Sequence, residues 1–88
     1  MNQQHIEIQD ISYIKMVTIG SINPNHPLSD QEKQKQIDEL NRCLNESPKG
    51  RIIAFDRSVG QFVVGQHEFI MEKITYHVGF KRKPYWIE

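Results

Sequence analysis

The chain is poor in the residues that favour helices. Its 88 residues include only three leucines and a single alanine, beside twelve isoleucines and five valines. Branching at Cβ restricts the side-chain rotamers and suits the extended backbone of a strand, whereas leucine and alanine favour helices. The apolar residues lie mainly before position 20 and after position 50. The composition therefore predicts a protein dominated by strands.

Cysteine and long apolar runs are also scarce, and this excludes several classes of protein. Cys43 is the sole cysteine, so no disulfide can form within the chain and a reducing compartment is expected. The first five residues have neither a basic start nor an apolar stretch, so we expect no signal peptide. No apolar run approaches the ~20 residues of a membrane-spanning helix. These features predict a soluble, cytoplasmic protein.

The small size limits the core that the chain can form. We predict a single domain over residues 1–88, of which residues 81–88 form a basic and aromatic tail. Domains of this size bury only ~60–65% of the surface that the unfolded chain exposes, and oligomerisation is a common remedy. The net charge is zero, with −3 on residues 1–46 and +3 on residues 47–88. This balance lacks the overall basicity of a dedicated nucleic-acid-binding protein.

The pattern along the chain predicts strands, one helix and short turns. Alternating apolar residues predict a strand from Ile6 to Ile19, with a bulge or break near Gln9-Asp10. Ser29 and Glu32 form a capping box, which predicts a helix from there to about Asn45 or Glu46. Further elements are predicted in this order: a strand at Arg51–Phe55, a turn at Asp56-Arg57-Ser58, a strand at Val59–Val64, a two-residue turn at Gly65-Gln66, and a strand from His67 to about Phe80.

The predicted fold class is α+β, with the order β-α-β-β-β. It is a small, four-stranded, mainly antiparallel sheet with one amphipathic helix on one face. Ile37, Leu40 and Leu44 give that helix a thin apolar stripe, enough to cover one small sheet. Apolar residues occupy both faces of the first and last strands, so the second face also needs a cover. We therefore predict a homodimer or higher oligomer, with a monomer as the alternative.

The end of the chain provides the candidate ligand surface. Lys81, Arg82 and Lys83 are consecutive cations, and Tyr85 and Trp86 follow them. Cations bind phosphates and aromatic rings stack on bases, which are the two ingredients of single-stranded nucleic-acid binding. The segment is therefore a candidate surface for nucleic acid or another polyanion. The alternative is a strand end guarded by cations, with both aromatic rings packed on the core or on a neighbouring copy.

Neither a metal site nor a catalytic group emerges from the sequence. His67 and His77 share a predicted strand, but ten residues place them roughly 33 Å apart, too far to bind one ion. Asp56 and Ser58 share a predicted turn, and His67 comes near them if the strands form a meander, yet nothing orients the three for catalysis. Cys43 is interpreted as a small core residue. We predict no metal, no cofactor and no enzymatic activity.

Three functional hypotheses follow. The first is a cytosolic, non-enzymatic, homo-oligomeric module for protein interaction or regulation. The second is binding of single-stranded nucleic acid or another polyanion through the C-terminal tail. The third comes from the layout, because one helix over a wrapped sheet resembles the dodecins, small β-α-β-β flavin-storage proteins. That resemblance implies a flavin-binding oligomer. The predicted sheet has one strand more than theirs, and the sole tryptophan, Trp86, lies in the tail.

Overall fold

The computed structural model describes residues 10–88, and this part of the chain contains one helix and three strands. In chain order they are β1 (Tyr13–Gly20), α1 (Asp30–Asn45), β2 (Arg51–Val64) and β3 (His67–Phe80). The order is therefore β-α-β-β, in a small α+β fold with a three-stranded antiparallel sheet. The prediction of four strands in the order β-α-β-β-β is wrong.

The strand count differs because the turn predicted at residues 56–58 does not form. These residues continue β2 and pair with β3. Arg57 forms an ion pair with Glu72, and Asp56 is hydrogen-bonded to His77. Such cross-strand partners stabilise an extended ladder, and a turn at this point would separate them. The two predicted strands at 51–64 are thus a single strand.

β2 and β3 form one long hairpin. The predicted two-residue turn at Gly65-Gln66 is confirmed, and Gly65 has the positive φ of +64° that such a turn requires. Each strand has 14 residues, which corresponds to a length of about 46 Å. A β-bulge at Ile53 interrupts the register between Ile52 and Ala54. From Ala54 to the turn the ladder is regular.

The central strand of the sheet is β3, and the order is β1-β3-β2. β1 pairs only with the second half of β3, from Tyr13 opposite Phe80 to Gly20 opposite Lys73. Gly20 has a φ of +97°, and a Cβ at this position would collide with the backbone carbonyl oxygen of Glu72. Glycine therefore allows the chain to leave the sheet here. The remaining part of the hairpin has two strands only.

This two-stranded part, residues 59–72, extends beyond the end of β1 and is called the ribbon below. The radius of gyration is 16.0 Å and the principal dimensions are 53 × 24 × 22 Å. A compact domain of this length would have a radius of gyration of about 12 Å. The ribbon therefore makes the molecule markedly elongated.

Helix α1 begins and ends close to the predicted positions. The predicted capping box is confirmed, because the Ser29 hydroxyl accepts a hydrogen bond from the Glu32 N–H, and the Glu32 carboxylate accepts one from the Ser29 N–H. At the other end the Glu46 N–H donates to the carbonyl oxygen of Arg42. The helix has 16 residues and is about 24 Å long. It can therefore cover only about half of the hairpin.

A small core joins α1 to the sheet. Within the described residues the buried apolar side chains are Val17, Leu40, Cys43, Val78, Phe80 and Pro84. The interpretation of the cysteine as a core residue is thereby confirmed. Around them pack the partly buried residues Tyr13, Ile19, Leu44, Tyr76, Trp86 and Ile87. A core of this size leaves much of the sheet without a cover.

The strand predicted at Ile6–Ile19 corresponds in part to β1, which begins at Tyr13. The preceding residues Ile6 and Ile8 lie outside the described part of the chain, as does Gln9 of the predicted bulge.

Candidate functional site

Four exposed apolar side chains lie on the helix side of the hairpin, where α1 does not cover them. Phe55, Val59 and Val63 alternate along β2, and Ile70 lies among them on β3. Directly paired residues point to the same face, so Phe55 shares the face of its partner Tyr76, which packs against the core. The four are 62%, 52%, 66% and 69% exposed, respectively. This set is called the apolar patch below.

One ion pair and one further carboxylate, that of Glu68 opposite Val63, lie within the apolar patch. Arg57 lies between Phe55 and Val59 on the same face of β2, and it forms an ion pair with Glu72 across the hairpin. The patch therefore combines apolar side chains with a neutralised pair of charges and one carboxylate. Contiguous apolar patches of a few hundred Å² on small monomers often mark interaction sites.

The opposite face of the sheet carries less exposed apolar surface. Ile14 and Met16 of β1 are 51% and 62% exposed on that face, and Val64 beside the turn is 59% exposed. Next to them the hydroxyl groups of Thr18 and Thr75 are hydrogen-bonded at 2.8 Å. The sequence predicted uncovered apolar surface on the face away from the helix. The structure places a longer apolar run on the helix side, along β2, because α1 packs mainly over β1.

The structure pairs Asp56 with His77, and not with His67. His77 Nε2 lies 2.9 Å from Asp56 Oδ2, diagonally across β2 and β3. His67 lies opposite Val64 at the turn, eight residues along β2 from Asp56, a distance of roughly 26 Å. The structure therefore does not bring together Asp56, Ser58 and His67, the three residues considered for catalysis.

The Asp56–His77 pair was not predicted, because the sequence pattern indicated a turn at residues 56–58. Continuing the pairing from the Gly65 turn along an unbroken hairpin would have placed the two residues diagonally opposite each other. Within residues 10–88 no three His, Cys, Asp or Glu side chains are grouped closely enough to hold a metal ion.

The C-terminal cations are exposed. Lys81, Arg82 and Lys83 follow β3 at the end of the molecule opposite the ribbon, and all three face solvent. The Lys83 ammonium group lies 5.7 Å from the centre of the Tyr13 ring. Tyr85 is 81% exposed. Four of the five residues of the candidate polyanion surface are therefore accessible.

Trp86 is the member of that surface that packs inwards. Its ring lies against the core, and the Arg42 guanidinium group stacks on it at 4.4 Å from the ring centre. The indole N–H is buried, and no hydrogen-bond acceptor for it is present among the described residues. The ring therefore stabilises the attachment of the tail to α1 and leaves Tyr85 as the ring open to stacking.

A short polar network attaches the tail to the end of α1. The Tyr85 hydroxyl donates to a Glu46 carboxylate oxygen at 2.8 Å, and the Arg42 Nε donates to the other oxygen at 2.7 Å. The hydrogen bond from Arg42, and secondarily that from Tyr85, lowers the pKa of Glu46. The same carboxylate raises the pKa of both Arg42 and Tyr85. The network therefore favours charged Glu46 and neutral Tyr85.

Beside Trp86 lies a shallow groove of about 510 Å³ between α1 and the tail. Its charged lining consists of Lys15, Lys35, Asp38, Glu39, Arg42 and Glu88. The Lys15 and Glu39 side chains already form an ion pair at 3.1 Å. With three cations and three carboxylates the groove has no preference for one sign of charge.

No protein-family model, no curated protein and no solved structure matches this chain. In the part of the chain that the structure describes, α1 is too short and too polar to cross a membrane, and no other helix is present.

Proposed function

We propose that the chain is a cytoplasmic, non-enzymatic protein that acts as a homo-oligomeric interaction module, in which a second copy covers the apolar patch. The observation that carries the proposal is the exposure of Phe55, Val59, Val63 and Ile70 on the helix side of the hairpin, where α1 leaves them uncovered. A cytoplasmic location agrees with a single, buried cysteine.

The chain exposes more surface than a compact monomer of its mass, and a partner could bury part of it. The accessible surface is 6587 Å², against about 5400 Å² for a compact monomer of this mass. A stable dimer buries about 800 Å² on each partner. The core is small enough that such burial would add substantially to stability.

The charges of the chain favour a second copy as the partner that covers the apolar patch. The net charge of the chain is zero, so two copies do not repel each other. Inside the patch the charge of Arg57 is compensated by Glu72 of the same chain. Burial against an identical patch then leaves neither of these charges without a partner.

The test is the solution mass of the protein and of two lysine variants with matched exposure. Val63→Lys alters the apolar patch, whereas Met16→Lys alters a residue of similar exposure on the opposite face. We expect the unaltered protein to be a dimer or higher oligomer at tens of micromolar by analytical ultracentrifugation. Val63→Lys should weaken association by roughly tenfold or more, because a charge replaces apolar contact in both copies.

Met16→Lys should leave association unchanged. A monomeric unaltered protein would contradict the proposal. If only Met16→Lys lost association, the interface would lie on the opposite face of the sheet. Circular dichroism would establish that both variants are folded.

A second candidate function is the binding of single-stranded nucleic acid or another polyanion. The exposure of Lys81, Arg82, Lys83 and Tyr85 favours it, with Trp86 as a nearby fluorescent reporter. Replacing the two tail lysines by glutamine should lower the salt dependence of oligonucleotide affinity by about 1.4 in the logarithmic slope. Glutamine at Lys33 and Lys35 of α1 is the control, and equal slopes in both double variants would contradict this function.

A third possibility is a flavin-binding oligomer, by analogy with the dodecin layout. The described residues have the order β-α-β-β, which is also the order of the dodecin layout. The additional strand of the predicted fold does not exist in this part of the chain. A purified protein without yellow colour, and without binding of added flavin, would contradict it.

A further inference from the structure

We infer that the two copies join edge to edge through β2, in an antiparallel pairing centred on Val59, to form a continuous six-stranded sheet. This inference rests on the proposed self-association and specifies its geometry. The strand order across the dimer would be β1-β3-β2 followed by β2-β3-β1 of the partner. Three features of β2 support this inference. They are its outer edge, its regular segment between a bulge and a turn, and the compatible side chains that face each other when the strand pairs with its own copy.

The first feature is the outer edge of β2, which is open as far as residues 10–88 are concerned. The strand lies at one side of the sheet, because β3 occupies the centre and pairs with β1 on its other side. Among residues 10–88, the backbone hydrogen bonds of the segment 54–64 go to β3 alone. The strand contains neither proline nor lysine, the residues that commonly protect an exposed edge. By contrast β1, the other edge strand, carries Lys15 and is only 8 residues long.

The second feature is the regular segment of β2, which a bulge limits at one end and a turn limits at the other. The bulge at Ile53 and the turn at Gly65 limit the regular segment to residues 54–64. In a two-fold symmetric antiparallel pair, one residue lies on the axis and pairs with its own copy. The axis must pass through Val59, the midpoint of this segment, if all of the segment is to pair. Any other centre leaves part of it without a partner.

The third feature is the match between side chains in this register. On the helix side Phe55 pairs with the partner's Val63, and Val59 pairs with the partner's Val59. Arg57 faces the partner's Gln61, so no like charges meet. Directly opposed apolar side chains stabilise a pair of strands, and like charges in that position destabilise it. The apolar patches of the two copies therefore adjoin along β2, where Phe55, Val59 and Val63 of each copy are covered from the side by those of the other.

Neighbouring registers match less well. An axis at Ser58 places Phe55 opposite the partner's Gln61, and an axis at Gly60 places Arg57 opposite the partner's Val63. An axis at Arg57 places two guanidinium groups directly opposite each other. The register centred on Val59 is thus selected both by the length of the regular segment and by the chemistry of its side chains.

The test is thiol cross-linking of single-cysteine substitutions on β2. In the proposed register the two copies of residue 59 lie side by side, with Cβ atoms about 4.5–5.5 Å apart. The two copies of residue 61 lie about 13 Å apart, because each faces residue 57 of the partner. We therefore expect Val59→Cys to give at least tenfold more covalent dimer than Gln61→Cys under mild oxidation or with a short thiol cross-linker.

Two controls accompany this comparison. The unaltered protein measures the background from Cys43, which is buried and whose thiol pKa is raised by that burial. Mixing the Arg57→Cys and Gln61→Cys proteins should restore the covalent dimer, because these two positions face each other across the axis. The mixture keeps the test valid if Val59→Cys proves to be unfolded.

The outcomes separate this inference from the proposed function. If the unaltered protein sediments as a monomer, self-association itself fails. If it is an oligomer but neither Val59→Cys nor the mixed pair is cross-linked, the proposed function stands and the β2 interface is overturned. Equal cross-linking of Val59→Cys and Gln61→Cys would also overturn the register.

Discussion

At Gly50 the backbone enters β2 directly against two buried side chains. A Cβ at this position would lie 2.6 Å from Phe80 Cε1 and would also collide with the side chain of Val78. Both neighbours are fully buried and cannot move without repacking the core. We expect Gly50→Ala to lower the free energy of unfolding by about 1–3 kcal/mol, measured by urea denaturation at fixed protein concentration.

The control for that measurement is Lys49→Ala. Lys49 is the exposed neighbour of Gly50, and its truncation should change stability by less than about 0.5 kcal/mol. An unaltered unfolding midpoint in Gly50→Ala would mean that the core accommodates the additional methyl group.

Single residues were predictable where the interaction is local. The capping box of Ser29 and Glu32 joins residues three positions apart, and the sequence predicted it correctly. The Asp56–His77 pair spans 21 positions and depends on the register of a hairpin. Its residues are polar and common in turns, so their pattern alone indicated a turn. The contact between Trp86 and Arg42 was likewise beyond the sequence, which left the packing of the tail open.

At the scale of elements, the C-terminal segment is attached to α1 through a charged group. The hydrogen bonds from Arg42 and Tyr85 lower the pKa of Glu46 in the folded protein. A carboxyl group with a lowered folded pKa stabilises the attached state at all pH values above its unfolded pKa, and this contribution is lost as the pH falls through the folded value. We expect Trp86 fluorescence to stay constant from neutral pH to about pH 4 and to change below it.

Two variants check the origin of this acid transition. Glu46→Gln should remove the transition, since glutamine has no proton to gain and keeps a similar shape. Asp30→Asn, at the other end of the same helix, should retain it, because Asp30 lies in the first turn, 16 positions before Glu46. An identical acid transition in Glu46→Gln and the unaltered protein would contradict the role of this carboxylate.

The elements themselves were predictable to different degrees. Helix α1 and the turn at Gly65-Gln66 have strong local signals and occur as predicted. The break in β2 was predicted from Asp56-Arg57-Ser58, and it is wrong because cross-strand partners on β3 keep these residues extended. Residues with weak local preferences adopt the conformation that their tertiary neighbours stabilise.

For the whole molecule, composition predicted strands, a thin core and one helix, but not the shape. The shape depends on how far β1 extends along β3, and this length is set at Gly20 by a backbone conformation that the sequence pattern does not reveal. The candidate interaction surface follows from the same geometry. Sequence alone predicted exposed apolar surface, and the position of that surface on the helix side required the pairing of three strands.

The early departure of β1 at Gly20 couples the stability of the protein to its concentration. An isolated two-stranded hairpin is only marginally stable in water, so the ribbon depends on whatever lies beside it. If that neighbour is another subunit, each association event also orders the ribbon of both chains. Dilution would then loosen the distal end first while the helix-covered end stays folded, and the cell could tune the amount of ordered protein through its abundance.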